Sequence, residues 1–172
     1  MQINVRCWLI IFLCSWSSSR TSSKLSTIDL LTVFVMCERR RGHLSPWQLY
    51  IDSLPTHHTL PVFWADSALS SLPFDVHREA VRSTGKLTDS FHRLTSLFNA
   101  ISVAFPELFE YPFTLIEYQW AVTCVNTRCI HLAGNKHTDG SSSDDIALAP
   151  FLDMFNHSPD VQVSVLCTCT ND

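Results

Sequence analysis

The sequence predicts a mostly α-helical chain with a small β part. Three observations carry that reading. Apolar residues recur at spacings of three and four over most of residues 27–129. Gly or Pro stands where each such stretch has to stop, at Gly42, Pro55, Pro73, Pro106 and Pro112. One short run, Val161, Val163 and Val165, alternates as a half-buried strand does.

Taken in order, Ser26 or Thr27 caps a first helix whose stripe is Ile28, Leu31 and Val35, with Leu30 and Phe34 alongside, and Gly42 stops it. Ser45-Pro46 reads as a cap followed by Pro at the first helical position. That helix carries Trp47, Tyr50, Ile51 and Leu54, and Pro55 ends it. A short segment spans Trp64 to Leu72. A long helical region then runs from about Asp75 to Phe105 on Leu87, Phe91, Leu94, Phe98, Ile101 and Phe105, with Gly85 as the expected kink. The next helix runs from Thr114 to about Cys129 and holds Ile116, Trp120, Val122, Cys124 and Val125. Residues His137 to Asp145 are rich in turn formers and read as a polar surface loop. The apolar run Ala147 to Phe155 follows it.

Composition sets the limits. The 172 residues suit one domain with a real core; 46% are hydrophobic and 16% charged, a globular balance. The four Gly are too scattered for a phosphate-binding loop. Net charge is −4, and the only basic run is Arg39-Arg40-Arg41, so direct nucleic-acid binding is not indicated. Those arginines read as the solvated last turn of the first helix, where positive charge suits the helix dipole. Seven scattered Cys form no paired framework and read as free, mostly buried thiols. His57-His58 and Cys167-Thr168-Cys169 lack the spacing and number of ligands for zinc; both His read as exposed loop residues, and no metal is expected.

Residues 1–25 stand apart. Arg6 precedes an apolar run from Cys7 to Cys14, and a Ser-rich stretch follows. This is the outline of a secretory signal, too short to span a bilayer as a helix. A core segment and an atypical start are the other two readings.

Three elements then read together. Ser45, Trp47, Tyr50, Leu54 and Pro55 fall in the first; Trp120, Val125, Thr127 and Arg128 in the second; the third is Ala147-Leu148-Ala149-Pro150-Phe151-Leu152-Asp153-Met154-Phe155-Asn156-His157. In this order they resemble the RuBisCO-methyltransferase-like SET enzymes, over roughly residues 27–166. The resemblance implies an α+β arrangement, namely the helical insert and the cofactor-binding turn of an incomplete SET domain. Residues 26–166 would form that partial domain, after the atypical 1–25 and before a divergent tail at 167–172.

The resemblance also implies chemistry: methyl transfer from S-adenosylmethionine to a protein lysine. Cofactor binding would fall to Arg128, Asp153, Met154, Phe155, Asn156 and His157. Arg128 would pair with the cofactor carboxylate, Asn156 would hold the methionine end through its amide, and His157 would meet the adenine through its backbone. The expected partner is a histone tail or another lysine-bearing protein. No membrane is expected, the chain is expected to be a monomer, and the expected location is cytoplasm and nucleus, with secretion the minor reading. The family also uses a Gly-rich strand upstream and a catalytic Tyr downstream. Here no Gly precedes Gly42 and no Tyr follows Tyr118. No catalytic residue is therefore assigned, and these 172 residues are expected to transfer no methyl group alone. The alternative is a catalytically inactive helical interaction module, or regulatory isoform.

Overall fold

A computed structural model describes residues 25–106, 111–131 and 146–155. The chain divides into two compact units, Met1–Asn126 and Thr127–Asp172. The first unit is helical: α1 (Thr27–Arg41), α2 (Gln48–Ser53), a single turn α3 (Asp66–Leu69), α4 (Phe74–Arg93), α5 (Thr95–Ala104) and most of α6 (Leu115–Arg128). The second holds the end of α6 and two short strands, β1 (Cys129–His131) and β2 (Ile146–Leu148). A mostly helical chain with one small sheet is thus what the sequence predicts. The alternating run at Val161–Val165, the loop at His137–Asp145, the first 24 residues and the tail lie outside the described residues.

α1 begins with a reciprocal cap. The Ser26 Oγ accepts from the Asp29 amide at 3.1 Å, and the Asp29 carboxylate accepts from the Ser26 amide at 3.0 Å. Gly42 ends it at φ 50°, a conformation that favours glycine. The buried face is Thr32, Val33, Val35, Met36 and Cys37, rotated from the expected stripe so that Ile28 lies exposed. α6 is the central element: every residue from Tyr118 to Val125 is buried, as in a helix surrounded on all sides. Leu97, Phe98 and Ile101 of α5 fill the core, with Leu94 just before it. Phe91 lies 5.4 Å from Phe98 and 5.7 Å from Tyr118 between ring centroids, and Phe98 stacks on Phe113 at 4.6 Å.

Several expectations need correction. The long helical region breaks at Leu94, not at Gly85. Gly85 sits exposed in α4 with open space around it, and a helix tolerates such a glycine. After the break at Leu94, α5 buries Leu97, Phe98 and Ile101. Ser45 caps no helix. Its Oγ accepts from the Trp47 amide at 3.0 Å and donates to the buried Glu38 carboxylate, so α2 starts after Pro46 and Trp47.

The three arginines do form the last turn of α1, as expected, but only Arg39 is exposed, and all three are engaged rather than simply solvated. Arg40 makes a bidentate pair with Glu117 at 3.0 and 2.7 Å and donates to the Tyr111 and Pro112 carbonyls. Arg41 pairs with buried Glu38 at 2.7 Å, and Arg39 stacks over the Trp120 ring at 3.8 Å. His58 is half-buried, stacked on Phe63, with its Nε2 at 3.4 Å from the Cys124 Sγ. Desolvation holds its pKa below the ordinary value. His57 is exposed as expected. Among the described residues Cys37, Cys124 and Cys129 form no disulfide, no group of three metal-binding side chains forms, and no helix is long and apolar enough to cross a membrane.

Candidate functional site

The sheet of the second unit explains how residues far apart in sequence reach one another. β1 and β2 pair antiparallel, Cys129 against Leu148, Ile130 against Ala147 and His131 against Ile146. Cys129 was expected to end the helix; it opens β1 instead. The β-branched Ile on each strand suits the ladder, but three residues are too few to show a period. Arg128, at the last position of α6, therefore stands one residue before the ladder, and Ala149 one residue after it on the other strand. The chain beyond Ala149 turns back toward Arg128.

That turn is tightly specified. The Asp153 amide donates to the Ala149 carbonyl at 3.1 Å, Met154 to Phe151 at 3.2 Å and Phe155 to Leu152 at 3.3 Å. Leu152–Met154 form one turn of 3-10 helix. Phe151 sits at φ 78° and ψ −46°, which is an outlier for a bulky residue. Such strain persists only where the surroundings over-determine it, and it clusters at sites that hold ligands. No sequence signal marks this φ, so Phe151 was missed as a shaping residue.

Within the turn the side chains separate by chemistry. The Asp153 side chain is 1% exposed and that of Arg128 is 24% exposed. The Arg128 Nη1 donates to the Asp153 carbonyl at 3.2 Å and stands 3.9 Å from its Oδ2. Phe151, Met154 and Phe155 are exposed, and the rings of Phe151 and Phe155 meet edge to face at 5.4 Å. The structure thus brings Arg128 and Asp153 together and leaves Met154 and Phe155 at the surface. Asn156 and His157 lie outside the described residues.

The arrangement offers a cationic fork beside exposed aromatic rings. Among the described residues only Nη1 of Arg128 is engaged, so the Nε and Nη2 donors remain for an anion. A carboxylate matches that fork in geometry and charge, and the Phe edge offers apolar surface for a flat base. These residues fit S-adenosylmethionine, which joins a carboxylate to an adenine. Among the described residues the first unit has two large concavities: an apolar groove of about 750 Å³ lined by Leu60, Val62, Val76, Ala80, Leu87 and Val122 among others, and one of about 710 Å³ beside Arg39, Arg40, His57, His58 and Trp120. The groove has no cationic fork, and in the second the Arg40 fork is already bound to Glu117.

Comparison with known proteins points the same way as the turn. The chain is 33% identical over 140 residues to SET domain-containing protein 4 of Mus musculus, covering 81% of this chain and 32% of that protein. It is 27% identical over 160 residues to the ribosomal lysine N-methyltransferase set11 of Schizosaccharomyces pombe, covering 88% of this chain and 38% of that one. It is 28% identical over 147 residues to the actin-histidine N-methyltransferase of Otolemur garnettii, covering 83% and 23%. The chain spans about a third of the length of the first curated relatives it matches. No protein-family model and no solved structure matches it.

Proposed function

We propose, from the premise that this chain is a SET protein like SET domain-containing protein 4, that its second unit carries one wall of an S-adenosylmethionine site. The observation that carries the reading is the return of the 149–155 turn onto Arg128, which brings together residues 25 positions apart. The reaction served is methyl transfer to a protein lysine, on a histone tail or another lysine-bearing protein in cytoplasm or nucleus. Support for a protein acceptor comes from relatives named for methylating ribosomal lysine and actin histidine.

When bound, the cofactor supplies an electrophilic methyl group on its sulfonium. Arg128 receives the cofactor carboxylate on its free donors. By the family resemblance Asn156 would hold the same end through its amide and His157 would meet the base through its backbone, while the exposed Phe151 and Phe155 would cover that side. This is binding and alignment, the part of catalysis that positions two reactants. No residue among the 172 takes the role of a late catalytic Tyr, because none follows Tyr118. The chain alone therefore binds cofactor without transferring methyl groups.

Calorimetric titration of S-adenosylmethionine into the 172-residue chain tests this. Saturable binding that weakens at least tenfold in Asn156→Ala supports it, a loss expected for one hydrogen bond to a charged group. Absence of heat at millimolar cofactor refutes it, and robust transfer to a lysine peptide refutes the inactivity.

A further inference from the structure

We infer that Asp153 is a positioning residue, whose carbonyl and buried carboxylate fix the Arg128 guanidinium so that its remaining donors face an incoming carboxylate. This rests on the cofactor site proposed above and adds a residue that acts through another.

The argument begins with burial. A carboxylate that is 1% exposed has lost nearly all of its water. Such a group persists only against compensating charge and hydrogen bonds. Arg128 supplies the charge, at 3.9 Å from Oδ2, and the pair is screened far less than a surface pair because one member is buried. The carbonyl of the same residue accepts from Nη1 at 3.2 Å. One residue thus grips one corner of the guanidinium twice, once through its backbone and once through its field.

An arginine has many rotamers, and holding it still is a cost that binding otherwise meets. The bond at Nη1 restricts the planar group and leaves the Nε and Nη2 edge as the one Asp153 does not occupy. That edge is the one that matches a carboxylate in two parallel bonds. Because Oδ2 lies beyond hydrogen-bond distance, the Asp153 carboxylate orients the cation without using up its donors.

A competing effect has the opposite sign. The negative charge of Asp153 also lowers the pull of Arg128 on a second anion. If that effect won, removing the carboxylate would strengthen anion binding. The geometry favours positioning, since the buried carboxylate stands 3.9 Å from Nη1, close enough to aim the cation and too far to occupy one of its donors.

Two ligands separate these cases: S-adenosylmethionine and its decarboxylated analogue, titrated into the full chain. The wild-type chain is expected to prefer the carboxylate form about tenfold or more, as one charge-assisted pair implies. Asp153→Ala and Asp153→Asn should each cut that preference at least about threefold and leave affinity for the analogue within about twofold. Arg128→Ala should abolish the preference, and adding Asp153→Ala to it should change nothing more, the signature of two residues acting as one unit. The unchanged analogue affinity shows that the variants are folded, and the Asn variant preserves shape if the Ala variant does not fold. A preference unchanged in both variants overturns the inference and leaves the cofactor site standing. A stronger preference makes Asp153 a competitor and overturns it as well. A wild-type chain that binds neither ligand overturns the site and the inference together.

Discussion

Arg40 ties α1 to the start of α6, and its removal should be costly. Its side chain is only 5% exposed. It makes two bonds to Glu117, one each to the Tyr111 and Pro112 carbonyls, and lies 4.3 Å from the centroids of both the Tyr111 and the Phe113 ring. Removing one partner of a buried pair costs about 3–5 kcal/mol. Two facts reduce this. The Glu117 side chain is 25% exposed, so water reaches it, and it keeps its bonds from the Thr114 amide and hydroxyl. The lost stem packing between two rings adds some back. Arg40→Ala should therefore destabilise by about 3 kcal/mol. Arg40→Lys keeps the charge but not the fork and should cost roughly half of that. Urea unfolding followed by far-ultraviolet circular dichroism reads this directly. With a slope of about 2 kcal/mol per molar, the Ala variant should unfold about 1.5 M earlier. A shift below about 0.3 M would show that the contacts around Arg40 contribute nothing net to the fold.

Burial pushes the Glu117 carboxyl up, but the bonds from Arg40 and Thr114 outweigh it and hold the pKa below its ordinary 4.5. A carboxylate depressed in the folded state stabilises fully above the unfolded pKa and loses that contribution as pH falls through the folded one. Wild-type stability should thus fall below about pH 4.5, and Glu117→Gln should flatten that fall while lowering stability at neutral pH; parallel slopes in the two chains would contradict the assignment. Ile101 is fully buried in α5. Ile101→Ala should cost about 2–5 kcal/mol in the same urea assay, and a loss below about 1 kcal/mol would place it outside the core.

How much of this was legible depends on how local each determinant is. The Ser26 cap and the Gly42 stop are written in adjacent residues, and both ends of α1 follow from them. The apolar spacing through Leu94, Phe98 and Ile101 shows which side faces inward, but not that the helix breaks at Leu94. The break appears only in the backbone at Leu94, where one helix ends and the next begins, and no Gly or Pro in residues 86–94 marks it. Arg40 looks like one of three surface cations because its partner stands 77 residues away. His58 looks like a loop residue because Cys124 is 66 residues away. β1 and β2 are too short to show alternation, and only their pairing makes them strands. The family's motif located Arg128 and the 153–157 stretch, while the positive φ of Phe151 and the burial of Asp153 arise from the turn itself.

The central claim is that the cofactor meets the chain at this turn. Ultraviolet crosslinking of S-adenosylmethionine radiolabelled in its methyl group, followed by peptide mapping, tests it most directly. The account predicts label in the peptide spanning Ile146 to Pro159, reduced in Arg128→Ala and displaced by excess unlabelled cofactor. Label confined to the apolar groove around Leu60 and Leu87, or no displaceable label, would contradict it.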